Sequence, residues 1–160
     1  MTVNDYLASS LQSSLNMLKM HLGDLSDADL MVRPVPGANH ANWQIGHMIE
    51  AERGMMTQCG AKMPELPAGF KERYSKETAK SDDASKFATK DELIPLFEKV
   101  RGGTIEFIKT LSAEKLKSPS PMADWFPTMA DFVGLGASHI AMHIGQIQVL
   151  RRKLGKPVLF

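Results

Sequence analysis

Two of the chain's five histidines, His139 and His143, stand four residues apart. In a helix that spacing puts both rings on one face, about 6 Å apart along the axis. Phe132, Gly136, Gln146 and Leu150 share that face, so the pair is expected to point inward. A third histidine, His47, falls with Trp43, Ala51 and Gly54 on one face of an earlier helical segment. A lone buried histidine is ordinarily a hydrogen-bonded core residue. Two on one apolar face are harder to explain that way, because each neutral ring has nitrogens that need partners and two charged rings would repel. A shared divalent ion answers both requirements. Three neutral imidazoles leave its charge intact and at least one position open, the pattern of a catalytic rather than a closed structural site. Zinc, nickel, iron and copper all accept imidazole. Such an ion lowers the pKa of a bound water to about 7 or deprotonates a coordinating thiol, and either gives a nucleophile at neutral pH.

The other reactive side chains are less pointed. Glu50, three residues after His47, is a candidate base, an outer partner of a ligand, or a fourth ligand. Cys59, the only cysteine, lies about 120° round the helix from His47 and is a poor ligand. His21 falls near a helix C-terminus, where a cation suits the dipole. His40 precedes the helix of His47 as a neighbour of its cap, with the site as a more distant role. Arg151, Arg152 and Lys153 fit a helix C-terminus better than a nucleic acid. Trp125-Phe126 reads as a plug for the end of a bundle rather than a substrate lid. No His-Glu-x-x-His is present, and no Glu-x-x-His of the di-iron kind.

Four helical segments must position these residues. Leu7, Leu11, Leu15, Leu18 and Leu22 make one stripe, ended by Gly23. A capped turn follows at Ser26 to Leu30, then a break at Pro34-Val35-Pro36-Gly37. The second helix runs from about Asn42 to Cys59. Next comes an aperiodic stretch of about 30 residues, longer than most loops and read as a crossover. The third helix runs from about Thr89 to Leu111, with Thr89 and Glu92 in capping-box spacing. Pro95 is expected to kink it or shift its first turn. The last runs from Thr128 to Leu154, stopped by Gly155 and Pro157. No strand alternation appears. The expected fold is all-α, a four-helix bundle with a long crossover between the second and third helices, forming one domain over residues 1–160.

Composition sets the class. At 160 residues a real core is attainable. Hydrophobic residues at 43% and charged residues at 23% are ordinary for a globular domain. A net charge of +1 gives nucleic acid or anionic lipid little to attract. No apolar run has the length of a membrane span, and the first residues lack a signal-peptide pattern. A single cysteine allows no internal disulfide, which fits the cytoplasm.

The stretches WQIGHMIEAE and HIAMHIGQIQVLRRKLG resemble the DinB-like, or DinB/YfiT-like, proteins, and the helix order and long second connection extend the resemblance over nearly the whole chain. It implies a four-helix bundle with a histidine triad on a divalent metal, commonly zinc or nickel. The triad positions match His47, His139 and His143. It also implies an activity drawn from thiol-dependent S-transfer or isomerisation and metal-dependent hydrolysis. The expected function is attack by a thiol or water on a small electrophile, with a low-molecular-weight thiol as the possible cosubstrate and pocket walls that include Met48 and Met55. The alternative is a non-catalytic, metal-stabilised, stress-related bundle. A second apolar strip on the last helix, Val133, Ala137, Ile140, Ala141 and Ile144, suggests a homodimer, unless the 60–88 loop covers it.

Overall fold

The computed structural model describes residues 1–159. Its long helices are α1 (Val3–Leu22), α3 (Ala41–Gln58), α5 (Lys90–Thr110) and α7 (Met129–Lys153), with short helices α2 (Asp27–Leu30), α4 (Phe70–Arg73) and α6 (Ala113–Lys117) between them. Among the described residues there is no strand, only an isolated antiparallel bridge between Pro119 and Thr128. No helix there is long and apolar enough to cross a membrane.

The helix starts are chemically defined. Thr2, Ser26, Thr89 and Thr128 each accept from the backbone three residues on, and Asp5, Asp29, Glu92 and Asp131 bond back to the cap, completing four capping boxes. α5 runs through Pro95 without a break. Pro95 is on the exposed face, so the carbonyl that its missing N–H would have satisfied is left to water.

Side-chain bonds give the helix directions. Asn4 Nδ2, at the start of α1, donates to the carbonyls of Ile108 and Leu111 at the end of α5, so these two are antiparallel. Arg151, at the end of α7, bonds the His21 carbonyl and Asp24, so α1 and α7 are parallel. Asn42 Nδ2, at the start of α3, donates to the Ala88 carbonyl just before α5 at 2.7 Å, so α3 and α5 begin at the same end. α1 packs on α7 and α5, and α3 packs on the same two. Residues 59–89 therefore return along the outside of α3. They are not structureless: α4 and two 3₁₀ turns (Thr78–Lys80 and Ala84–Lys86) divide them, and Phe70, Tyr74 and Phe87 are buried anchors.

The core has two apolar clusters. One holds Leu15, Leu18, Leu22, Ile45, Phe97, Ile140 and Ile147; the other holds Leu7, Leu11, Met56, Ile108 and Val133. Met48 belongs to the first, so it is core rather than a pocket wall, while Met55 is half-buried against the second. Part of the strip on α7 is used internally. Val133, Ile140 and Ile144 are buried within the chain, Ala137 is half-buried and Ala141 is exposed.

Two of the basic groups at helix ends are buried. His21, in the last turn of α1, is fully buried, with Nδ1 2.7 Å from the Met17 carbonyl. Arg151 is buried as well and ties α7 to the end of α1 and to the Pro157 carbonyl, while Lys153 bonds the Arg33 carbonyl. Within the basic run, which forms the last turn of α7, Arg151 and Lys153 tie that helix end to neighbouring segments.

Candidate metal centre

His47 comes from α3 and His139 and His143 from α7, which meet antiparallel. One nitrogen from each ring can be chosen so that all three lie within 4.8 Å of one another. His139 Nε2 and His143 Nε2 are 3.1 Å apart. The His47 ring meets those of His139 and His143 nearly edge-on, with centroids 5.3 and 5.7 Å away. His143 is buried; His47 and His139 are half-buried, so the cluster opens toward solvent on their side.

Two of the three rings, His47 and His143, are also held by residues outside the cluster. Trp43, one turn before His47, stacks on it with the planes 5° from parallel and the centroids 4.9 Å apart. The Trp43 indole N–H donates to the Ser75 carbonyl of the crossover at 3.0 Å, which fixes the stack from outside. Gly46 lets the crossover come this close, because a Cβ there would lie 2.2 Å from the Tyr74 ring. The Tyr74 hydroxyl accepts from Ala88 N and lies 3.3 Å from Asn42 Oδ1. On the other side, Gln44 Oε1 faces His143 Nδ1 at 2.8 Å.

The rings are kept neutral. Burial, reinforced by His139 and His47, pushes His143 down to about 3. Burial also lowers His139, with His47 adding to it. It lowers His47 against the opposing pull of Glu50, while Lys76 adds to the lowering. Neutral imidazoles in close convergence are the donor set a divalent transition ion takes. The residues therefore fit such an ion.

The remaining candidates divide clearly. Glu50 acts on His47 through its charge but is not in the converging group. It lines a groove of about 330 Å³ with Arg53, Glu65, Phe70 and Lys71. Cys59 caps the end of α3, also outside the group. His40 is the cap of α3 itself: its Nδ1 accepts from Trp43 N and its Nε2 meets the Ser81 carbonyl. Trp125 is 79% exposed, so it plugs nothing, while Phe126 rests near Phe132. Gln44 escaped the sequence reading, because a glutamine inside a helix carries no signal until its partner is known.

Solved structures of similar fold include YfiT from Bacillus subtilis, described as a probable metal-dependent hydrolase with an unusual four-helix bundle topology. It aligns with a TM-score of 0.69 at 19% identity, over 96% of this chain and 89% of that one. A conserved protein from Enterococcus faecalis aligns with a TM-score of 0.68 at 15% identity, over 98% and 99%. The chain has no significant match among curated proteins. The DinB superfamily model matches residues 10–147, and with that span the chain belongs to the DinB superfamily.

Proposed function

We propose that the chain is a metal-dependent enzyme in which His47, His139 and His143 hold one divalent ion, and water or a small thiol attacks a small electrophile. The observation that carries this reading is the convergence of three neutral histidines with no carboxylate or thiol in the group, which leaves room for an exogenous ligand. When bound, the ion supplies Lewis acidity that makes water or a thiol nucleophilic at neutral pH. The chain's own part is positional. Trp43 holds the His47 ring by stacking, burial keeps the ligands unprotonated, and α3 and α7 set their spacing. Glu50, near enough to act on His47, is the proposed acceptor of the nucleophile's proton.

The description of YfiT as a probable hydrolase favours water as the nucleophile; the family resemblance adds the thiol. Zinc and nickel are the proposed ions. A cytoplasmic location and a small-molecule rather than nucleic-acid partner belong to the same reading, and the ligand set is complete within one chain. The same three residues also tie α3 to α7, so a purely stabilising ion is the competing role. Tag-free protein should contain one divalent ion per chain by elemental analysis. Loaded protein should turn over simple esters or amides, or a chlorodinitrobenzene with added thiol, and His143→Ala should abolish this. If no substrate turns over and no thiol perturbs the spectrum of a cobalt-loaded site, the stabilising role is the correct one.

A further inference from the structure

The amide of Gln44 is wholly buried and its two ends are assigned by what they face. Its Nε2 lies 2.8 Å from the Asn39 carbonyl, a group that only accepts, so this end donates. The other end, Oε1, then faces His143 Nδ1 at 2.8 Å and only accepts. The proton of neutral His143 must sit on Nδ1. The Nε2 lone pair is thereby turned toward His139 Nε2, 3.1 Å away, and into the space shared with His47.

We propose that Gln44 is a positioning residue of the metal centre, which selects the His143 tautomer and orients its ring before any ion arrives. This rests on the reading of the triad as a metal site. The chain Asn39 carbonyl, Gln44 amide, His143 ring links the segment before α3 to a ligand on α7. An imidazole whose far nitrogen donates to a fixed acceptor is a stronger and better aimed ligand, and loss of such a partner costs roughly 10–100-fold in metal affinity.

Zinc affinity, measured by competition with a chromophoric chelator, tests this on the whole chain. Gln44→Met keeps the length of the side chain and removes the acceptor. It should weaken zinc binding by roughly 10–100-fold while the far-UV circular dichroism stays unchanged. Gln44→Glu restores an acceptor at Nδ1 and should bind zinc more tightly than Gln44→Met. Independently of any ion, nitrogen-15 spectra of the chelated wild-type protein should show His143 protonated at Nδ1, with the signal assigned through His143→Ala. Wild-type protein that binds no zinc overturns the metal centre and this proposal with it. Wild-type protein that binds zinc, with Gln44→Met binding it equally well, overturns the role of Gln44 alone. A His143 proton found on Nε2 does the same, even if Gln44→Met fails to fold.

Discussion

Burial holds His40, His47, His139 and His143 below the ordinary imidazole range in the folded chain. Unfolded, each would take a proton near pH 6.5. Below that pH the unfolded chain binds more protons than the folded one, so stability falls as pH falls. In chelated protein the urea midpoint should be lower at pH 5.5 than at pH 7.5, and nearly flat from pH 7.5 to 8.5. His40 contributes through a specific device, since its Nδ1 must stay unprotonated to accept from Trp43 N. His40→Asn, which keeps a capping oxygen, should make the acid loss shallower. A midpoint that rises on acidification would contradict this account. The His139–His143 pair was readable because i,i+4 spacing is local in sequence, and His47 joined it through its own helix face and the family resemblance. Gln44 was not, since the histidine it serves is 99 residues away.

Between elements, the contact that brings the crossover against α3 is the Tyr74 ring lying on Gly46. The ring is buried and its hydroxyl is engaged by Asn42 and Ala88, so it has little freedom to retreat. Gly46→Ala should therefore destabilise the chain by about 1–3 kcal/mol, as overpacking does, despite alanine's better helix propensity. It should also disturb the Trp43–His47 stack. In a Trp125→Phe background, Trp43 is the sole tryptophan, and its emission should report that disturbance. An unchanged unfolding midpoint and spectrum would remove Tyr74 from this role. The helices were legible from the leucine stripe of α1 and the Thr89–Glu92 box of α5. The crossover was legible as a long connection but its anchors were not, because Phe70, Tyr74 and Phe87 come at intervals with no period. α6 also went unread, being a single capped turn.

For the molecule as a whole, one buried ion pair sits between the two apolar clusters. Arg101 of α5 meets both carboxylate oxygens of Glu52 on α3, at 2.8 and 2.7 Å, and also bonds the Leu11 carbonyl of α1 and Ser14 Oγ. Thr104 Oγ1 donates to the same carboxylate. Removing one charge leaves the other buried and unpaired, a cost of about 3–5 kcal/mol. Glu52→Ala should therefore unfold in far less urea than wild type, and Glu52→Met with Arg101→Met should recover part of the loss. If the single and double variants add independently, the pair is not coupled. Neither this pair nor the helix directions could be read from periodicity, which gives faces but not neighbours. The parallel course of α3 and α5 has a consequence in time. α1 finds its most extensive partner in α7, and two of the three clustered histidines also belong to α7, the last of the four long helices to be made. While the chain is being synthesised, the leucine stripe has no complete cover and His47 has no companions. Long-range pairings of this kind slow folding and leave apolar surface open on the nascent chain. An ion held by all three histidines, as proposed above, would therefore enter only after α7 has emerged, as a late step that closes assembly and not as a nucleus that starts it.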